Sequence, residues 1–427
     1  MTDAPVGPER QPSPPPVAMR RNRNFRLLWT GQVLSDLGTQ LGVLAYPLLI
    51  FAITGSPVIA GAVATVTSIV SFAVRLPAGA LADRVNRRTT MIVCDAVRLV
   101  VLAGLAVGVF VEHTGTHHLR GGHAIAWQIV LVVAIIDRIG DTIFSPASTA
   151  ALPKIVEGVQ LEDAWAATEA RQYAASLGGP ALGGILFSVG AAVPFVGDAL
   201  SYGASVLTSS LMTGDFDPEP TDAARKGLWR EAFDGVRFIW HDALLRAVIF
   251  QSPLINFAIS GVVFTVILGL RHSGTSPTLI GFTQAAIGTG GLLGAIAAPR
   301  LQGRLVLSQM VVLLTASGVV FTVVAAYLMP SPLIAIPIAV PFFLAPTANA
   351  ALFAALLRET PEAMRGRVNN ALIQASTGLA AFSPLIAGLL IAHESASWAM
   401  GAFAAAFAIS TILALSLKGL RQAEAAA

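Results

Sequence analysis

Apolar runs recur along the chain, separated by short polar breaks. They predict helices near 26–53, 57–82, 89–111, 124–148, 165–188 and 190–213, and again near 244–270, 278–298, 305–328, 333–357, 368–392 and 396–417. A helix rises about 1.5 Å per residue, so each run is long enough to cross a hydrocarbon core of roughly 30 Å. The expectation is an all-α membrane protein with twelve transmembrane helices in two six-helix bundles. The first bundle covers 20–213 and the second 244–418. A polar, proline-rich tail over 1–19 and a short tail over 419–427 flank them, both expected in the cytoplasm. The stretch 214–243 links the bundles. It opens on Asp215, Asp217, Pro218, Glu219 and Pro220 and then alternates Leu228, Trp229, Phe233 and Trp240 with Arg230, Glu231, Asp234 and Arg237. That pattern reads either as a helix on the cytoplasmic membrane surface or as an ordinary linker helix.

The two sets of spans echo each other. Pro146-Ala147-Ser148-Thr149-Ala150-Ala151-Leu152 matches Pro346-Thr347-Ala348-Asn349-Ala350-Ala351-Leu352, Gly79-Ala80-Leu81 matches Gly294-Ala295-Ile296, and Gly179-Pro180…Gly184 matches Ser383-Pro384…Gly388. The matches keep their order, as expected of a transporter built from two repeats.

Composition narrows the class. Of 427 residues 55% are hydrophobic and 12% charged, with a mean hydropathy of +0.71. Soluble domains carry about 25% charge, so a soluble enzyme is excluded. The single cysteine, Cys94, excludes an intrachain disulfide and any cysteine-based metal site. No G-x-x-x-x-G-K phosphate loop occurs, which argues against ATP-driven transport by this chain. The pI near 9.3 could suggest nucleic acid, but the basic residues are scattered over short loops and read as topology. With both termini in the cytoplasm, 22 of the 27 Lys and Arg residues fall in cytoplasmic segments, including Arg84, Arg87, Arg88, Lys154 to Arg171, Arg300, Arg304, Arg358, Arg365 and Arg367. Only Arg120 and Arg271 fall outside, and Arg75, Arg98 and Arg138 fall within spans. The histidines of the 112–123 loop, His113, His117, His118 and His123, read as a solvated loop rather than a metal site. No cofactor and no metal is expected.

Between the second and third spans lies Gly79-Ala80-Leu81-Ala82-Asp83-Arg84-Val85-Asn86-Arg87-Arg88. It resembles the G-x-L-A-D-R-x-G-R-R loop of the major facilitator superfamily, with Asn86 at the second glycine. Physically, Gly79 would allow close helix contact, Asp83 would bond a neighbouring helix end or an arginine across the halves, the three arginines would hold the inner surface, and Asn86 would supply a left-handed turn. Gly179-Pro180-Ala181-Leu182-Gly183-Gly184 is similar to the G-P-x-x-G-G signature of drug:proton antiporters, where glycines let helices approach and proline bends one. The first span, beginning Phe25-Arg26-Leu27-Leu28-Trp29, with Leu76-Pro77-Ala78-Gly79 and Arg365-Gly366-Arg367-Val368, resembles the branch holding enterobactin exporters and macrolide-efflux proteins. The resemblance covers about Asn24 to Leu417.

That resemblance implies a secondary transporter of the cell membrane that binds a small molecule and protons, works as a monomer, and is not an enzyme. Ionisable groups inside spans are costly and mark function. Asp36 lies 11 residues past Phe25, about 16 Å deep. Asp137, Arg138 and Asp141 lie centrally in the fourth span, and the last two share a helix face. In the family fold the first and fourth helices line the cavity. Asp36, Arg138 and Asp141, with Asp137, are therefore the expected proton-coupling group, against the alternative of a structural ion pair. Arg75 and Asp95 sit about ten residues either side of Val85 and are expected to pair across the hairpin. Asp198 has no partner visible in sequence. Spans of the second half contain no acid. Gln32 in the first half, with Gln251, Asn256, Gln284, Asn349 and Gln374 in the second, is an expected cavity liner, suited to an amphipathic or aromatic cargo. The expected function is proton-driven export of a drug-like, antibiotic-like or siderophore-like compound by alternating access. Uptake of a nutrient or lipid by the same fold is the alternative, and a non-transporting sensor or scaffold is a third reading.

Overall fold

The structure, a computed structural model, describes residues 21–82, 84–114, 126–217 and 237–416. Asp83, most of the histidine loop, the linker's amphipathic stretch and both tails lie outside them. The described chain is all-helical: α1 Arg23–Thr54, α2 Pro57–Ala82, α3 Arg87–Thr114, α4 Trp127–Ile155, α5 Leu161–Val189, α6 Val193–Ser210, α7 Ala243–His272, α8 Pro277–Gln302, α9 Leu307–Leu328, α10 Ala335–Glu359, α11 Glu362–Gly378, α12 Ser383–His393 and α13 Ala396–Ser416. A 3₁₀ turn at Ala380–Phe382 links α11 and α12 into one path across the fold. Nine of the described segments are long and apolar enough to span a bilayer. Helices α4, α5 and α6 are not among them, and α4 carries Asp137, Arg138 and Asp141 in mid-length.

Local chemistry sets the helix ends. Asn22 caps α1 by accepting the Phe25 N–H, Asp242 caps α7 through the Leu245 N–H at 2.8 Å, and Ser276 caps α8. Gly55, at φ +64°, supplies the left-handed residue that stops α1. Asn86 does not occupy a left-handed turn, because no described residue other than glycine has positive φ. Its carboxamide instead accepts the Thr89 N–H at 3.0 Å and caps α3, while its amide donates to Asp217 at 2.7 Å.

Within the first half α1 packs on α5 and α6, α2 on α4, and α3 on α4 and α6. The second half repeats this with α7 on α12 and α13, α8 on α10, and α9 on α10 and α13. The sequence echoes fall on equivalent helices: Pro146 and Pro346 are interior to α4 and α10, while Gly184 and Gly388 are interior to α5 and α12. Glycine decides how closely α1 approaches α6. A Cβ at Gly38 would strike the Asp198 carboxylate and the Ser201 hydroxyl, and one at Gly31 would strike Thr208.

The halves meet along two matching seams, α5 with α8 and α2 with α12. A Cβ at Gly61 would overlap the Pro384 carbonyl, and one at Gly388 the Pro57 carbonyl. The other seam shows the same reciprocity, Gly184 against Pro277 and Gly281 against Pro180. Helix α1 starts at the near end of the molecule, and α5 and α12 finish at the far end. The seam residues stand in the last third of α5, in the first two turns of the short α12 and in the first two turns of α2 and α8, so the halves are clasped toward the far end. Thr278 donates to the Ser188 hydroxyl at 2.7 Å across the α5–α8 seam.

Candidate functional site

Near the near end the helices part around a cavity of about 500 Å³. Its wall comes from α1, α4 and α5 with Arg98 of α3, including Gln32, Asp36, Arg138, Asp141, Glu169 and Arg171. Val43 and Arg138 also line a second space of about 200 Å³ that reaches Phe264 of α7. Val43 and Tyr173 also line a third, of about 340 Å³, bounded by Gln284, Ile287, Phe342 and Asn349 of the second half. Polar chemistry thus sits on the first half, and an apolar wall with two carboxamides faces it.

Behind the cavity wall Arg98 is the hub. It is 1% exposed and projects from α3 into the core of the first half. Its Nε donates to Asp137 Oδ1 at 2.8 Å, Nη1 lies 3.5 Å from Asp95 and Nη2 lies 3.7 Å from Asp141. Nη2 also donates to Thr39 at 3.1 Å and to the Tyr202 hydroxyl. A Cβ at Gly140 would lie 2.7 Å from the Arg98 Cγ, so glycine in α4 is what lets this stem pass. Tyr46 of α1 donates to the other oxygen of Asp137 at 3.3 Å. The guanidinium therefore ties α1, α3, α4 and α6 together, and its planar fork is what allows it to serve several acceptors at once.

Two further pairs line the cavity. Arg138 lies 3.2 Å from Asp141, both about a third exposed. Arg171, buried on α5, lies 3.1 Å from Asp36. Asp198 is buried on α6, and neither of its oxygens has a hydrogen-bond partner among the described residues. Beyond the exposed Glu169 of the cavity wall, Asp36, Asp95, Asp137 and Asp141 pair with Arg98, Arg138 and Arg171, and Asp198 adds a fifth buried acid without an ion-pair contact among the described residues. Five carboxylates against three guanidiniums leave a formal excess of two negative charges in a mostly desolvated site.

Asp36, Arg138 and Asp141 line one cavity, and Asp137 lines the second space, of about 200 Å³, that Arg138 also borders. Asp36 pairs with Arg171 rather than Arg138. The expected Arg75–Asp95 pair is not formed: Arg75 is exposed, while Asp95 is fully buried against Arg98. Depth along the hairpin matched, but α2 and α3 do not pack on each other: α2 lies against α4 and α12, and α3 against α4 and α6. Arg171 is not part of the loop in which it was counted, because α5 begins at Leu161 and carries it inward. Gly79 makes no close helix contact, since a Cβ there would meet open space. Arg88 is bonded to the end of α6, through the Ser209 carbonyl at 3.0 Å and the Ser210 carbonyl, and the Arg87 N–H bonds the Phe216 carbonyl. In the G-P-x-x-G-G stretch Gly179 and Gly183 face Gln40 and Leu41 of α1, while Pro180 and Gly184 face α8.

Gln32, Gln284 and Asn349 line the connected spaces. Gln251 does not, because its amide is spent on Ser410 at 2.7 Å, and it borders with Asn256 a void of only about 30 Å³. Gln374 reaches across to the Phe72 carbonyl at 3.4 Å. Sequence reasoning passed over Arg98, Arg171 and Tyr202. For Arg98 a signal existed: eleven residues into α3, about 16 Å deep, it met the same criterion that singled out Asp36.

Residues 15–427 match the sequence model of a family described as transmembrane secretion effector. The chain is 25% identical over 417 residues to the multidrug efflux pump Tap of Mycobacterium bovis (strain BCG / Pasteur 1173P2), covering 94% of each chain. It is 24% identical over 375 residues to the enterobactin exporter EntS of Escherichia coli O1:K1 / APEC, covering 86% of this chain and 85% of that one. Among solved structures, a bacterial homologue of the iron transporter ferroportin in its inward-facing state aligns with a TM-score of 0.74 at 16% identity, covering 94% of this chain and 99% of that one. The helical repeat, the shared cavity and the match over nearly the whole length place the chain in the transmembrane secretion effector family of the major facilitator superfamily, as a multi-span transporter of small molecules in the cell membrane and not an enzyme.

Proposed function

We propose that this chain is a proton-coupled exporter of an amphipathic small molecule, acting by alternating access as a monomer of twelve spans in two six-helix bundles. The observation that carries the reading is the excess of carboxylates over guanidiniums around a cavity closed at one end. A desolvated surplus of negative charge is costly. It is met by a proton or by a cationic group of the cargo, and competition between the two is what exchange requires. Asp36 and Asp141 touch the cavity and can trade protons with it. Their arginine partners, Arg171 and Arg138, are held on neighbouring helices and change distance when those helices move.

Basic residues support a cytoplasmic near end: Arg84, Arg88, Arg300, Arg304, Arg358, Arg365 and Arg367 gather there, against Arg271 among described residues at the far end. In that orientation the cavity opens to the cytoplasm, where an exporter collects its cargo. The efflux pumps among the relatives point the same way. A proton crossing a potential of 100 mV supplies about 2.3 kcal/mol to return the carrier.

The test uses a drug-sensitive bacterium expressing the chain, a panel of toxic amphiphiles, and dye-monitored proton exit from acid-loaded inverted vesicles on cargo addition. Asp36→Asn and Arg138→Ala are expected to abolish cargo-driven proton exit with membrane expression intact. Wild-type proton exit in both variants refutes the coupling assignment.

A further inference from the structure

We infer that Trp165, Glu169 and Tyr173 form a recognition site for a lipophilic organic cation at the near end of the cavity, an inference that rests on the transport reading above. The three residues are spaced four apart on α5, and such spacing stacks side chains on one helix face. All three line the cavity of about 500 Å³. Glu169 is exposed to that space, and no ion pair joins it to any described residue.

Its neighbours explain why. Arg171, two residues on, points from another face of α5 and is committed to Asp36 at 3.1 Å. Arg138 is committed to Asp141 at 3.2 Å. The carboxylate is thus uncompensated inside a site that already carries more acids than bases, and an anion is repelled there. An aromatic ring one turn before and one turn after it offers two π faces to a cation, with Trp the stronger. The adjoining space of about 340 Å³, which Tyr173 also lines, supplies apolar wall from Ile287 and Phe342 for the cation's substituents. The chemistry selects a quaternary or protonated amine, or a phosphonium, with bulky apolar groups, over an anionic chelator of similar size.

Binding of tetraphenylphosphonium and of tetraphenylborate, two ions of nearly the same shape and opposite charge, is measured on the purified full chain by equilibrium dialysis against protein-free micelles. The phosphonium is expected to bind at least tenfold more tightly than the borate. Glu169→Gln is expected to lose at least tenfold in phosphonium affinity, Glu169→Asp to recover part of it, and Trp165→Leu to lose several-fold, each with an unchanged melting temperature. Equal binding of the two ions, no phosphonium binding, or full affinity in Glu169→Gln overturns the site. If Asp36→Asn still loses cargo-driven proton exit in that case, the cation site falls while the coupled-transport reading stands.

Discussion

Gly184 on α5 and Gly281 on α8 face each other across the seam between the halves, each beneath the carbonyl of the proline one turn before the other. A side chain at either position would overlap backbone, which has no rotamer to yield. The closed far end therefore depends on glycine at these points, as on Gly61 and Gly388 at the matching seam. Gly184→Leu is expected to prise the far end open and to slow transport by at least tenfold while leaving insertion intact. Distances between spin labels on the far ends of α5 and α8, compared with the parent protein, check it. An unchanged distance distribution would show that the seam absorbs the added volume.

The Ser188–Thr278 hydrogen bond at 2.7 Å offers a second probe of the same closure. Two side chains that close suit a disulfide. The only native cysteine, Cys94, is buried and does not compete. Ser188→Cys with Thr278→Cys is expected to cross-link under mild oxidation, to block transport, and to recover on reduction. Cross-linked protein that transports at the parent rate would mean that this seam does not part during the cycle.

Much of the fold was legible because a membrane imposes one pattern: the apolar runs located the helices to within about seven residues, with α11 and α12 read as a single run, and the repeat located equivalent helices. The seams were half legible. Pro180 to Gly184 and Pro384 to Gly388 stood out as an echo, yet Pro57 to Gly61 and Pro277 to Gly281 carry the same spacing and passed unseen. Reciprocity belongs to the pairing of helices from opposite halves, which no local pattern records. The site was legible in residue type but not in partnership. Depth along a helix singled out Asp36, Arg138 and Asp141, but which helices pack together decides who pairs with whom. Arg75 failed to meet Asp95 because α2 and α3 are not packed on each other, and Arg171 took Asp36 because α5 packs on α1. The cap on α3 was misread because Asn serves both a left-handed turn and an N-cap, and only the backbone angle distinguishes them.

Arg98 is expected to be the most sensitive charged position for stability. Removing one partner of a buried ion pair leaves the other uncompensated and costs about 3–5 kcal/mol. Here the loss would strand both Asp95 and Asp137. Arg98→Leu should therefore lower the melting temperature of the detergent-solubilised protein sharply. Adding Asp137→Leu should restore part of the loss, because an apolar pair demands no compensation. If the double variant melts below Arg98→Leu alone, the Arg98–Asp137 pair is not the main term at this hub.

Asp137 and Asp198 are the same chemical group, both buried in the first half, yet only the neutral variant of Asp137 should lower stability. Asp137 accepts from Arg98 at 2.8 Å and from Tyr46 at 3.3 Å, so Asp137→Asn gives up a charge-assisted bond, a loss of about 1.5–3 kcal/mol. Asp198 has no hydrogen-bonded partner among the described residues and belongs to a set with more carboxylates than guanidiniums. Asp198→Asn keeps the shape and removes one member of that surplus, so the protein should melt at the parent temperature or above it. Thermal denaturation of both variants at pH 7 in one detergent decides the matter. A lower melting temperature for Asp198→Asn than for Asp137→Asn would mean that Asp198 holds a structural bond through its charge, and the five-to-three imbalance would then no longer describe the site.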